Sequence, residues 1–153
     1  MGFVAIFAAA WIAIFVIYAM DKSLTIRENA FVCLTQLIIG INFTWIVAEE
    51  LRYIEISRDA LPYVTFMIYR TILVPLIYVI LMNAVFKARR LPRLLIAIGS
   101  AFGVALALKG LLLYFGILRY EKWSLIYDGI QIILMQVVIY TLLRLYRKVV
   151  YAR

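Results

Sequence analysis

The chain has 153 residues, of which 67% are hydrophobic, and its mean hydropathy is +1.03. This composition excludes a soluble globular domain and predicts one membrane domain over residues 1–153. The net charge of +8 does not indicate nucleic acid as a partner, because the charges lie in short segments between long apolar runs. The sequence has no histidine and one cysteine, so we expect no metal, no cofactor and no internal disulfide.

Five apolar segments are long enough to cross the ~30 Å hydrocarbon core as helices. They cover residues 2–20, 30–48, 61–86, 94–118 and 125–143, and a basic tail follows at 144–153. The first segment has no basic stretch before it, so we interpret it as a retained helix rather than a secretory signal. The sequence therefore predicts an all-α integral membrane protein, a single bundle of five transmembrane helices.

The connection after the first span carries a helix start signal. Thr25 and Glu28 have the spacing of a capping box, in which a hydroxyl and a carboxylate bond the free amides at a helix start. Further along the second span, Asn42 and Glu49 fall on one helical face, so we expect Glu49 to point inward above Asn42. The acidic stretch 49–60 is then expected to form a short amphipathic turn on the membrane surface.

The third span carries a cation near its middle. An arginine at this depth costs from about 2.5 to more than 10 kcal/mol unless it meets water or a partner, so we expect Arg70 to face the bundle interior. The alternative is an arginine that snorkels along a lipid-facing helix. Pro75 cannot donate to the carbonyl of Thr71, so the helix should kink beside Arg70. The Thr71 hydroxyl is one candidate donor to the released carbonyl.

The segment after the third span is the most basic part of the chain. It holds four cations, which mark a cytoplasmic loop: Lys87, Arg89, Arg90 and Arg93. The tail adds a basic helical face that includes Arg144, Arg147 and Lys148. We expect both groups to bind the headgroups of an anionic inner leaflet.

Small residues recur at helical spacing in the fourth span. Gly99, Gly103 and Ala107 follow one another at intervals of four, and Gly110 comes three residues later. Such a stripe is smooth and allows another helix to approach closely. The alternative is incidental, because glycine is frequent in membrane helices.

The distribution of charge between the connecting segments predicts the orientation. Most of the 16 Lys and Arg residues fall in segments that are cytoplasmic if the N-terminus is outside. Most of the 8 Asp and Glu residues fall on the opposite side. We therefore expect the N-terminus outside, the C-terminus in the cytoplasm, and a bacterial cytoplasmic membrane as the location.

Polar residues of four spans are expected at similar depths in the outer half of the bilayer. Arg70 and Lys109 each lie about 13 Å from the outer end of their span, at about 1.5 Å per residue. The other members of this predicted cluster are Asn42, Glu49, Asp128, Gln131 and Gln136. Two buried cations need anions, and Asp128 and Glu49 are candidates, together with Glu50.

Several functions follow from this cluster. In our first hypothesis the chain is a non-enzymatic accessory or partner subunit that packs, through the small-residue stripe and the polar cluster, against a second copy or another membrane protein. An alternative is a small transporter, channel or lipid-binding protein whose Arg70 and Lys109 bind an anionic ligand in an outward-opening cavity. A membrane sensor is a further alternative. No enzyme is expected, because the sequence shows no nucleophile–base pair and no phosphate-binding glycine loop.

Overall fold

The computed structural model describes residues 1–152, and Arg153, the last residue of the predicted tail, lies outside them. The described chain folds into five helices that are long and apolar enough to span a membrane. They are α1 (Gly2–Ala19), α2 (Ile26–Glu50), α3 (Ala60–Lys87), α4 (Leu91–Tyr114) and α5 (Leu125–Val150). The predicted class, a helical chain with five apolar helices, is confirmed.

Helix ends differ from the predicted spans for local reasons. The α2 helix begins at Ile26 rather than near residue 30, because the capping box of Thr25 and Glu28 is formed in both directions. The α5 helix continues through the predicted tail to Val150. The α4 helix ends at Tyr114, where Gly116 adopts a φ of 68° and the chain turns out of the helix.

Two short strands, β1 (Ile54–Ile56) and β2 (Leu118–Tyr120), pair antiparallel with Glu55 opposite Arg119. The expectation of an amphipathic turn over 49–60 is therefore wrong at its centre. The physical reason is that β1 obtains its hydrogen bonds from a strand more than sixty residues later, and local alternation cannot reveal that partner.

The bundle has two distinct ends. We call the end that carries β1 and β2 the sheet end. The opposite end, with the α1–α2 connection (20–25), the α3–α4 connection (88–90) and the C-terminus of α5, is called the basic end.

The α3 helix lies at the centre of the bundle. It packs against α1, α2 and α4, and its Tyr78 and Phe86 side chains reach α5. One core cluster near the sheet end includes Phe66, Tyr69, Leu112 and Leu118. A second, nearer the basic end, includes Val79, Met82, Ile139 and Leu143. By contrast, α4 is mostly uncovered: 6% of its most apolar 18-residue stretch is buried, whereas 44% of the corresponding stretch of α3 is buried.

Regular α geometry is interrupted in α3 directly before Pro75. Residues Tyr69–Leu73 form a π turn, and the amide of Val74 donates to the carbonyl of Tyr69. Since proline has no amide hydrogen to offer Thr71, this wider turn accommodates the missing bond. The Thr71 hydroxyl donates a hydrogen bond to the Met67 carbonyl over 2.7 Å, and not to the carbonyl of its own residue.

Candidate functional site

A buried carboxylate organises the sheet end. Asp128 lies in the first turn of α5, with its side chain fully buried. Tyr120 donates its phenol hydrogen to Oδ2, and Trp123 donates from Nε1 to Oδ1 over 3.0 Å. The Lys109 ammonium, on α4, lies 3.4 Å from Oδ1. The short connection between β2 and α5 brings the two aromatic donors to the carboxylate, while helix packing brings the lysine.

These contacts compensate one of the two predicted membrane cations. The Lys109 side chain is 15% exposed and that of Asp128 is 0% exposed, so the pair is shielded from water. Burial and the hydrogen bond to Asp128 raise the pKa of the Tyr120 phenol well above its usual value. Tyr120 therefore remains a hydrogen-bond donor throughout the physiological pH range.

Arg70 has different surroundings. Its guanidinium lies over the preceding turn of α3, 5.5 Å from the centre of the Phe66 ring, with one nitrogen 3.2 Å from the sulfur of Met67. Its Nε is buried and has no hydrogen-bond partner within residues 1–152. In that part of the chain, no carboxylate forms a salt bridge with Arg70. The side chain is partly exposed and points toward the sheet end of its helix.

The remaining predicted cluster residues do not join this ion pair. Asn42 is exposed, and its amide donates 2.7 Å to the Ile38 carbonyl of its own helix. Glu49 is exposed as well, so it does not point inward above Asn42. On α5, Gln136 is buried and Gln131 is partly exposed.

A polar cavity of about 540 Å³ opens at the sheet end. Its charged lining residues are Glu49, Arg52, Glu55, Arg58 and Glu121. Neither Arg70 nor Lys109 is among the residues that line it. This cavity is therefore not the chamber, reaching both cations, that the anion-transport hypothesis requires.

The small-residue stripe on α4 is uncovered. Gly99, Gly103 and Ala107 are exposed. A Cβ added at Gly99, Gly103 or Gly110 meets no atom of the described residues within 4 Å. No helix within residues 1–152 packs closely on this stripe.

A second buried carboxylate lies near the basic end. Glu28 accepts a hydrogen bond from the Thr25 amide over 2.8 Å and contacts the Arg147 guanidinium through both oxygens, at 2.5 and 3.2 Å. The guanidinium also lies 4.2 Å from the centre of the Phe86 ring. Arg147 thus turns toward Glu28 and does not share the exposed surface of Arg144 and Lys148.

Sequence reasoning missed this pair, although a signal was present. Arg147 follows Ile139 and Leu143 at intervals of four, and both of those side chains are fully buried. The position therefore continues the buried face of α5 by one further turn. The identity of the partner, 119 residues away, carried no such signal.

Asn83 is a third buried polar group that the sequence did not single out. Its side-chain oxygen accepts from the backbone amides of Ser23 and Leu24, each at 3.0 Å. Its amide donates to the side chain of Asn29 over 2.7 Å. One α3 residue thereby binds both the α1–α2 connection and the first turns of α2.

The other predicted lipid-binding cations remain at the surface of the basic end: Lys87, Arg89, Arg90, Arg93, Arg144 and Lys148. Lys87 contacts Asp21 at 3.3 Å, with both side chains exposed. Arg144 lies 5.5 Å from the centre of the Tyr140 ring. These exposed cations are available to an anionic surface.

Hydrogen-bond donors and cations contact the two buried carboxylates, Asp128 and Glu28, in the geometry of structural ion pairs. Within residues 1–152, no three His, Cys, Asp or Glu side chains are grouped closely enough to hold a metal ion. No family model, curated protein or solved structure matches this chain.

Proposed function

We propose that this protein is a non-enzymatic membrane subunit that packs the small-residue stripe of α4 against a transmembrane helix of a second copy or of another membrane protein. The observation that carries the proposal is the empty space beside Gly99, Gly103 and Gly110. Glycine in a helix interior costs about 0.5–1 kcal/mol relative to alanine. Within residues 1–152 these glycines gain no close packing in return, whereas a second helix can approach closely over them.

The proposal includes an orientation in the membrane. The chain crosses a bacterial cytoplasmic membrane five times, with the sheet end outside and the basic end in the cytoplasm. Supporting this, the exposed cations of the α3–α4 connection lie at the same end as those of α5. Single cysteines in a Cys33→Ala background test it. A cysteine at Glu55 should react with an impermeant maleimide in intact cells, and one at Arg89 should react after the cells are opened.

Association is tested with two differently tagged copies and with crosslinking of proteins that co-purify from native membranes. Replacement Gly103→Leu should lower recovery of the complex at least tenfold, because a large side chain holds the helices apart. Ala8→Leu provides the control, since Ala8 is an exposed small residue on α1. A strictly monomeric chain with no co-purifying partner would contradict the proposal, as would an equal effect of both variants.

A second candidate function is favoured by Arg70. Its buried Nε lacks an acceptor and its charge lacks a carboxylate within residues 1–152, so an anion supplied from outside the chain would satisfy both. Lys109 no longer supports this function, because Asp128 already compensates it. Proteoliposomes loaded with chloride or inorganic phosphate test it. Wild-type flux should be lost in Arg70→Gln and partly kept in Arg70→Lys, and absence of wild-type flux for both anions contradicts it.

A further inference from the structure

An apolar groove of about 350 Å³ lies between α1 and α4, with α3 as its floor. Its fourteen lining residues are apolar apart from Ser100, and five of them are alanines. The Ser100 hydroxyl donates 3.0 Å to the Ala97 carbonyl, which leaves the wall without an unpaired hydroxyl hydrogen. The alanines are what make the groove: where two larger side chains would meet, their short side chains leave open volume.

The length of the groove suits a hydrocarbon chain of one leaflet. Its lining runs from Ala97 to Leu108 on α4, about 16 Å at 1.5 Å per residue. On α3 it runs from Leu73 to Ala84, about the same length. Half of the ~30 Å hydrocarbon core is about 15 Å. A single acyl chain lying along the helices would therefore cover the groove from end to end.

The basic end of the groove carries the complementary charge. Arg93 precedes Ala97 by four residues and Lys87 follows Ala84 by three, so each cation continues the groove-lining face of its own helix. Arg89 and Arg90 lie in the connection between those helices, and all four cations are exposed. Among these cations, Lys87 contacts the carboxylate of Asp21, whose side chain is 93% exposed. A phosphate at the basic end of the groove would therefore find cations on both α3 and α4.

We infer that the groove between α1 and α4 binds one anionic phospholipid, with an acyl chain along α3 and its phosphate between Lys87 and Arg93. This site differs from a general attraction of basic residues to anionic lipid, because it also fixes the position of the lipid's acyl chain. It rests on membrane insertion but not on the proposed association. Ala101 lines the groove, whereas Gly103 lies on nearly the opposite side of α4, roughly 160° around the helix axis. The two surfaces can therefore be altered separately.

The test measures lipid retained by the full chain in native mass spectrometry after extraction from nanodiscs of phosphatidylcholine containing phosphatidylglycerol. Wild type should retain one phosphatidylglycerol per chain. The double variant Lys87→Gln/Arg93→Gln should lose this preference about thirtyfold, which corresponds to about 2 kcal/mol at about 1 kcal/mol per cation. The control Arg144→Gln/Lys148→Gln removes the same charge from the same end, away from the groove, and should leave retention unchanged.

Variants that fill the groove distinguish binding of the acyl chain from attraction of the headgroup. Ala101→Phe should abolish retention of the lipid with helical content unchanged, and Ala97→Leu serves the same purpose if the first variant does not fold. Equal losses in the two charge variants would overturn the site in favour of a diffuse surface. Retention that survives both groove-filling variants would also overturn it, as would a co-purifying protein that these variants release. Gly103→Leu should leave lipid retention intact, so failure of the association proposal is visible independently.

Discussion

The Asp128 ion pair gives the sharpest test of the bundle's energetics. Replacement Asp128→Ala removes a fully buried carboxylate and leaves three donors without their partner: Tyr120, Trp123 and Lys109. Removing one member of a buried pair costs about 3–5 kcal/mol, because the other charge is left uncompensated. Lys109 keeps 15% exposure and some freedom to reach polar surroundings, so we expect the low end of that range, about 3 kcal/mol.

Replacing the lysine of this pair should cost less stability than replacing the carboxylate. Lys109→Met leaves Asp128 with both aromatic hydrogen-bond donors, so we expect a loss of about 1–2 kcal/mol. The double variant should cost clearly less than the sum of the single losses, because the two residues share one interaction. This order of effects follows from the unequal number of contacts that each substitution removes.

The measurement is the free energy of unfolding by sodium dodecyl sulfate in mixed micelles, followed by the helical circular dichroism signal. Asp21→Ala is the control, since the Lys87–Asp21 pair is exposed and should contribute little. A loss below about 1 kcal/mol for Asp128→Ala would refute the reasoning. So would a loss for Lys109→Met as large as that for Asp128→Ala.

Three further predictions use the same unfolding measurement. Glu28→Gln should cost about 2 kcal/mol, because it breaks the charge-assisted contact with Arg147, whose side chain is 32% exposed; an unchanged value would show that this contact contributes nothing. Asn83→Leu should cost about 2 kcal/mol, because the Ser23 and Leu24 amides lose their acceptor, and increased proteolysis at the α1–α2 connection would accompany it. The raised pKa of Tyr120 predicts a pH effect: its contribution is complete below about pH 10 and is lost as the pH rises further, since the unfolded chain then releases that proton more readily. Wild type should therefore lose stability above about pH 10 more steeply than Tyr120→Phe, and parallel pH curves would contradict this.

Features set by neighbouring residues were predictable from the sequence. The length of each apolar run sets the number of candidate membrane helices, because the hydrocarbon core has a nearly fixed thickness. The capping box of Thr25 and Glu28 formed as expected, since both of its hydrogen bonds lie within four residues. Asp128 was one of the predicted anions for Lys109, because helix length placed both residues near the same end.

Which side of each helix is buried was decided by the tertiary structure. Exposed and core-facing side chains are both largely apolar in this bundle, so hydrophobic periodicity does not mark the buried face. Asn42 and Asn83 illustrate this: the same residue type is exposed in α2 and buried in α3. Asn83 bonds residues of the α1–α2 connection and of α2 that lie 54–60 positions away in the sequence. The partner of Arg147 lies 119 positions away, and the strand that pairs with β1 lies more than sixty positions away. Contacts at such separations depend on how the helices pack, which no local pattern records.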